Sequence, residues 1–386
     1  MKQEALASVA PLTARVDEIC AVVNDGYDPA TWTDWRWQMR HRLTRLDQFE
    51  RLLRLTEAER RGLMLASEKF SVAVTPYFAS LIDPEDPDCP IRKQVVPVES
   101  ELVVSPGDMT DPCGEDGASV VEGLVHRYPD RVLFLALDTC AAYCRYCTRS
   151  RLVSQGELEP LGRRVEAVLS YLRAHTEVRD VLLSGGDPLL MADSVLDKLL
   201  GRLREIPHLE FLRIGTRIPS FLPQRITPEL VAVLRKHRVW LSVHFCHARE
   251  LTPEVAQAAD LLADGGIPLG CQTVLLKGVN DTVEELRDLF HGLLKLRIRP
   301  YYLYQCDPVL GTGHLRTTVA KGLDLMAQLR GHTTGYAVPT YVVDAPGGGG
   351  KIPVQAETIA GHDGDVWRLR NWAGQVYSYL DPCEAR

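Results

Sequence analysis

Three cysteines stand closer together than any others in the chain: Cys140, Cys144 and Cys147, in the run CAAYCRYC. Three thiolates in one tight loop can bind three corners of a [4Fe–4S] cube and leave its fourth iron open to a further ligand. A structural zinc site takes four ligands, usually from paired Cys-x2-Cys knuckles, and no partner pair is present. Spacing alone still leaves open a zinc site with one unseen ligand, or a chance cluster of core cysteines. A second feature is the turn Ser184-Gly185-Gly186-Asp187-Pro188; taken alone, such a turn needs no more than glycine's tolerance of positive φ. A third is the run from Asp344 through four glycines to Lys351. A phosphate-binding loop would need Gly at 345 and a hydroxyl at 352, where Ala345 and Ile352 stand. Lys351 is then either an ordinary exposed lysine or a nucleophile, with Gly347 to Gly350 letting the backbone approach a ligand closely.

These residues sit in a repeating pattern. From about residue 131 short apolar runs alternate with amphipathic stretches: RVLFLAL, VRDVLLS, LEFLRIGT, VWLSVHFC, IPLGCQTVLL and RIRPYYLYQC. Between them apolar residues recur at helical spacing, as in Val165, Val168, Leu169, Leu172; Leu196, Leu199, Leu200, Leu203; and Leu286, Leu289, Phe290, Leu293. Thr227-Pro228 and Thr252-Pro253 place a cap before a first-turn proline, Thr282 with Glu285 reads as a capping box, and Gly265-Gly266 closes a helix. Six near-continuous apolar strands alternating with helices imply a parallel sheet covered by helices. Polar residues gather at the strand ends: Cys140, Ser184 to Asp187, Thr216-Arg217, His244, Gln272, and Gln305 with Asp307. Convergence of six strand ends on one site predicts a curled sheet, a six-stranded partial barrel with its site at that face. Residues 30–70 read as polar helices, and 83–118, rich in Asp, Pro and Gly, as a long irregular connection.

Composition excludes several classes. The chain has 386 residues, 45% hydrophobic and 25% charged, with a net charge of −7. This is a globular composition, too acidic for a general binder of nucleic-acid backbone. No apolar run approaches the roughly 18–20 residues that cross a bilayer, and the first residues show no export signal. A soluble, cytoplasmic protein with no nucleic-acid or membrane partner is expected. Ten cysteines in such a chain read as metal, catalytic or core residues rather than disulfides.

Cys-x3-Cys-x2-Cys with Tyr143 before its second cysteine, at the end of the first strand, resembles the radical S-adenosylmethionine superfamily. Ser184-Gly185-Gly186-Asp187 after the second strand resembles that superfamily's turn for the cofactor's methionine amino group. The segments RYPDRVLFL, CRYCTR, PQRIT, KGVND, RPYYLYQCD and LRGHTTGYAVPTYVVDAPGGGGK are similar to the lysine 2,3-aminomutase family, from about residue 30 to 380. The resemblance implies a partial (β/α)6 barrel at 116–340, an N-terminal helical domain and linker at 1–115, and a C-terminal segment at 341–386. It implies a [4Fe–4S] cluster on Cys140, Cys144 and Cys147, with S-adenosylmethionine at Tyr143, Ser184, Gly185, Gly186 and Asp187. Lys351 inherits the Schiff base with pyridoxal 5′-phosphate, surrounded by Tyr128, Arg131, His244 and Gln272. Arg149 matches the arginine that holds the substrate α-carboxylate, and Asp307 and Asp344 match the aspartates that clamp a distal ammonium. Two acids facing a side-chain carboxylate would repel it, so they predict a cationic side chain.

The expected reaction moves the α-amino group of L-lysine to Cβ, giving β-lysine. L-arginine, whose guanidinium can bridge two carboxylates, is the alternative. The lysine enzymes usually carry Asn where Cys246 and Cys271 stand here, and the two cysteines are expected to touch near the cofactor. Well-known members bind zinc through a cysteine after KGVND and a C-terminal cysteine cluster. Here Thr282 follows Asp281 and only Cys383 remains near the end, so no structural zinc is expected. A homodimer and a low-potential electron donor of flavodoxin or ferredoxin type are the expected partners. Two other readings stay open: a radical enzyme that consumes S-adenosylmethionine with Lys351 unmodified, such as a dehydrogenase, and a non-catalytic iron–sulfur sensor.

Overall fold

The structure is a computed structural model that describes residues 12–23, 28–69, 71–153 and 158–381. Its main sheet has ten strands lying side by side in chain order: β1 (Ser119–Val121), β2 (Leu124–Tyr128), β3 (Arg131–Leu137), β4 (Asp180–Gly185), β5 (Phe211–Thr216), β6 (Trp240–His244), β7 (Leu269–Leu275), β8 (Arg299–Gln305), β9 (Thr340–Ala345) and β10 (Gly350–Pro353). The six apolar runs become β3 to β8. The sheet extends past them at both edges. β9 continues it as a seventh parallel strand, while β1 and β2 on one side and β10 on the other run antiparallel. Among the described residues no pairing joins β1 to β10, so the sheet stays open. The extra strands escaped the sequence reading because they are short or follow long polar loops that carry no periodic signal.

Six helices link the parallel strands: α1 (Leu161–Ala174), α2 (Asp193–Arg204), α3 (Pro228–Lys236), α4 (Pro253–Asp264), α5 (Val283–Lys295) and α6 (Val319–Leu329). Their apolar stripes are the buried faces: Val168, Leu169 and Leu172 on α1, Leu196, Leu199, Leu200 and Leu203 on α2, Leu286, Leu289, Phe290 and Leu293 on α5. The caps form as their chemistry requires. Thr227 accepts from Leu230 N, Thr252 from Val255 N and Thr282 from Glu285 N. The Thr282 box is half made, because Glu285 takes the Thr282 hydroxyl at 2.9 Å. Gly266, at φ +75°, turns the chain out of α4.

Residues ahead of β1 brace this barrel. Their short helices include Trp35–Arg40, Leu46–Leu52, Glu57–Lys69 and Pro76–Ser80. Tyr77 OH lies 2.6 Å from Thr252 Oγ1, and Thr75 donates to Phe221 O at 2.7 Å. Two backbone bonds reach the cysteine loop: Tyr143 N donates to Ala73 O and Arg145 N to Gln94 O. The connection at 83–118 is irregular apart from single turns, yet it lies across the site. At the other end β9 and β10 belong to the main sheet, so Lys351 is part of the barrel wall. A separate antiparallel sheet follows: β11 (Ile359–Asp363), β12 (Val366–Arg370) and β13 (Val376–Leu380). Among the described residues no helix is long and apolar enough to cross a membrane.

Thr252 both caps α4 and holds Tyr77 from the N-terminal region, whereas Thr227 caps α3 and bonds Glu229 within the same first turn. Thr252→Ala is expected to lower the unfolding free energy by about 1–2 kcal/mol, and Thr227→Ala by about 1, read from urea unfolding midpoints.

Candidate active site

The cysteine loop follows β3 directly, and Cys147 N closes a turn on Cys144 O at 3.1 Å. All three cysteines are free thiols. Burial pushes Cys140 well up and Cys147 up to about 12, so without a cation beside them they hold their protons. The three thiols share one loop within electrostatic reach of one another, a donor set that suits an iron cluster, which deprotonates its ligands outright. Arg217, at the end of β5, donates from Nη1 to Cys144 Sγ at 2.9 Å and to Tyr146 OH at 2.5 Å. Its guanidinium stacks on Phe221 at 4.0 Å, bonds Gln94 and pairs with buried Glu250 at 3.3 Å. Tyr146 OH in turn lies 3.0 Å from both His244 Nε2 and Cys246 Sγ. Burial, then the Arg217 charge, pushes His244 well below its usual range, so its ring is neutral.

The glycine turn lies against the start of the same loop. Gly185 has φ +112°, and a Cβ there would sit 2.2 Å from Leu137 O; one on Gly186 would sit 2.3 Å from Thr139 O. Gly186 N and Asp187 N donate to Leu137 O and Thr139 O. Close approach, more than turn geometry, makes both glycines obligatory. Asp187 is also bonded within the protein. Its buried carboxylate accepts from Thr216 Oγ1, Arg217 N and Leu189 N at 2.7–3.2 Å, which ties the end of β4 to the end of β5. Burial raises it to about 6. Tyr143 is buried with Ala73 and Val153 beside Cys140 and Cys147.

Further down the inner wall is a cavity of about 220 Å³ lined by Tyr128, Arg131, Arg213, Gln272, Tyr304 and Lys351. The β9–β10 register puts Lys351 opposite Asp344, and Lys351 Nζ meets Asp344 Oδ2 at 3.0 Å. Tyr128 OH accepts from Lys351 N at 3.0 Å, and Arg131 stacks on the Tyr128 ring at 4.2 Å. Arg127 Nη1 lies 3.6 Å from Asp344 Oδ1, while Arg127 Nε and Asp344 Oδ1 are buried without hydrogen-bond partners. Unspent guanidinium donors, tyrosine rings and a lysine around one cavity fit an aromatic aldehyde that carries a phosphate. Asp307, just past β8, is raised to about 7, first by burial and then by the Asp344 charge; Lys351 and Arg149 pull the other way.

Not every expected residue meets at one point. Lys351, Tyr128, Arg131 and Gln272 share the cavity wall. His244 pairs with Gln272 in the β6–β7 register, yet its side chain turns to Tyr146 and Cys246. Cys246 and Cys271 occupy different surroundings: Cys246 packs with Tyr146, Leu276 and Cys306, whereas Cys271 Sγ lies 3.7 Å from Thr273 Oγ1. The two thiols lie near enough for the Cys246 charge to act on Cys271, but they pack into separate core clusters. Arg149 is bound in two places, by buried Glu115 along its Nε–Nη2 edge and by Ser184 Oγ at 3.3 Å from Nη1. Sequence reasoning missed Glu115, Arg127 and the role of Arg217. Arg127 is adjacent to Tyr128 in the RYPDR run, and Arg217 ends a strand; Glu115 carries no local signal. Cys383 lies outside the described residues, so the zinc expectation at the tail has no structural counterpart here.

The arrangement of cysteine loop, glycine turn and open parallel sheet is one that known proteins share. Residues 136–290 match the radical SAM superfamily, whose enzymes use a [4Fe–4S] cluster and S-adenosylmethionine. Residues 326–386 match a second family, lysine-2,3-aminomutase. The L-lysine 2,3-aminomutase of Clostridium subterminale is 50% identical to this chain over 354 residues, 92% of this chain and 85% of that one. The Bacillus subtilis enzyme is 48% identical over 91% of this chain and 75% of its own length. The glutamate 2,3-aminomutase of Clostridioides difficile is 38% identical over 96% of this chain and 87% of its own. This chain belongs to the lysine 2,3-aminomutase family, and is a radical S-adenosylmethionine aminomutase, an isomerase.

Gly186→Ala is expected to leave a folded protein that takes up less iron, because the new methyl group displaces the Thr139 backbone from which the cysteine loop departs. Iron per chain after anaerobic reconstitution, read beside circular dichroism, checks this.

Proposed function

We propose that the enzyme converts L-lysine to β-lysine, with pyridoxal phosphate anchored on Lys351. The observation that carries the substrate reading is the pair of interacting acids beside Lys351. Asp344 already holds one ammonium, that of Lys351, and Asp307 is destabilised as an anion by burial and by Asp344. Both carboxylates gain from a cation and lose from an anion, which favours a basic amino acid over the substrate named for the Clostridioides difficile relative.

When bound, the reduced cluster with S-adenosylmethionine supplies a hydrogen-abstracting radical, and pyridoxal phosphate stabilises the radical while nitrogen migrates. The chain's own residues bind and orient. Cys140, Cys144 and Cys147 hold three irons, and Arg217 steadies the sulfur of Cys144. Ser184, Gly185 and Gly186 offer a narrow turn to the cofactor's amino group beside Tyr143, with Asp187 bracing that turn from behind. Arg127, Arg131 and Arg213 meet the phosphate, Tyr128 holds the Lys351 backbone, and Gln272 closes the wall, with His244 beside it on the neighbouring strand. Arg149 takes the substrate α-carboxylate, and Asp307 with Asp344 takes the distal cation. The connection at 108–116 keeps water out. An external low-potential protein delivers the electron. The solvent-facing sheet of β11 to β13, where Trp372, Tyr379 and Leu380 are all more than half exposed, offers apolar surface that a second copy would cover, in a homodimer.

Lys351→Ala is expected to lose the visible absorbance of bound pyridoxal phosphate and all mutase activity while keeping its iron. Anaerobic incubation with L-lysine and L-arginine in competition should give β-lysine in excess; β-arginine in excess would transfer the proposal to arginine, and a β-amino acid from neither would end it.

The acid near neutrality makes a pH-dependent prediction. Below about pH 7 Asp307 is protonated and neutral, and above it is charged; only the charged form attracts the substrate's cation. KM for L-lysine is therefore expected to fall as pH rises through about 7, and Asp307→Asn to raise KM and flatten that limb.

A further inference from the structure

Glu115 has no task in the reaction proposed above, yet it is only 5% exposed, lines the cavity and pairs with Arg149. Its two oxygens accept from Arg149 Nε and Nη2 at 2.7–3.1 Å. This is a side-on, two-point contact that fixes the plane of the guanidinium. Nη1 points instead toward Ser184 on the glycine turn. The edge between Nη1 and Nη2 keeps donors that face neither Glu115 nor Ser184, and that edge suits a second carboxylate.

Glu115 rides on a strap whose anchors touch the other parts of the site. Asp108 pairs with Arg316, and Met109 N donates to Pro308 O at 2.8 Å, one residue past Asp307. Arg151 holds Asp111 and Asp116 at 3.4 and 3.0 Å. Pro112 O accepts from Gly347 N at 3.1 Å, at the start of the glycine run before Lys351, and Arg127 donates to Cys113 O. A Cβ on Gly114 would lie 2.8 Å from the Gly347 carbonyl carbon, so strap and glycine run are in direct contact. One segment thus connects the neighbours of Asp307 and Lys351 with Arg149 itself.

We propose that Glu115 is a positioning residue for the carboxylate end of the substrate. It locks Arg149 side-on, so that the end of the guanidinium is presented to the α-carboxylate while the strap sets its distance from Asp307 and Lys351. This rests on the reading of Arg149 as the carboxylate holder.

The test uses the reconstituted holoenzyme with two ligands: L-lysine, and cadaverine, which is lysine without its carboxylate. Glu115→Ala is expected to raise KM for L-lysine about tenfold or more, with a smaller change in kcat and with the inhibition constant of cadaverine unmoved. Glu115→Gln, which keeps the shape and one acceptor, should fall between. In an Arg149→Lys background Glu115→Ala should add little, because its effect passes through Arg149. A KM for L-lysine that is unchanged or lower in both Glu115 variants would overturn the proposal, the lower value meaning that Glu115 competes with substrate. Equal weakening of L-lysine and cadaverine in both variants would also overturn it, as a general loosening of the site. Failure of the underlying reading looks different: Arg149→Lys by itself would then weaken both ligands alike.

Discussion

The register in which β10 lies on β9 is the constraint on which the site depends. It sets Lys351 across from Asp344, so that an ammonium and a carboxylate meet at 3.0 Å on the inner face of an open sheet. Side chains alternate along a strand, so a slip of one residue would turn Lys351 outward and leave Asp344 a buried anion without its cation. Gly350, at φ +79°, is where the chain enters β10, and a Cβ there would press on Tyr128 OH at 2.8 Å. The tyrosine that steadies Lys351 thus stands where only glycine lets it stand. The electrostatics of the cavity follow from that pair. Arg127 leans on the same aspartate, and Asp307 is raised to about 7 first by its burial and then by that aspartate's charge.

A second organising group is Arg217. It is buried, and it has acceptors from four directions: a sulfur of the cysteine loop, the Tyr146 hydroxyl, Gln94 from the N-terminal region and Glu250 after β6. Through Tyr146 it reaches His244 and Cys246. Cluster loop and strand ends are therefore held by one hydrogen-bonded network whose members come from distant parts of the chain. Such networks set geometry firmly when every partner is present, and here a guanidinium provides enough donors to satisfy them all.

Some of this was open to reading from residues alone, and some was not. Helix faces, caps and the six core strands were legible because burial imposes a period on the sequence; Leu196 to Leu203 and Leu286 to Leu293 are plain examples. Chemistry was legible where it is local, in the cysteine triplet and in a lysine after four glycines. What escaped was whatever depends on one segment crossing another. Glu115 looks like any acid in a polar linker until the linker is laid over Arg149. Asp187 reads as a ligand contact from its turn, and its bonds to Thr216 and the backbone of Arg217 show only in the fold. Cys271 sits on β7 and Cys246 just past the end of β6, and their side chains pack into different core clusters, which no spacing rule reveals.

Ala73 and Gln94, far ahead of the barrel in sequence, lend their carbonyls to the amides of Tyr143 and Arg145 inside the cysteine loop. Those two amides flank Cys144. The loop's shape is thus completed by a part of the chain far ahead of it in sequence. A molecule whose leading helices have not docked would carry the right thiols in the wrong places.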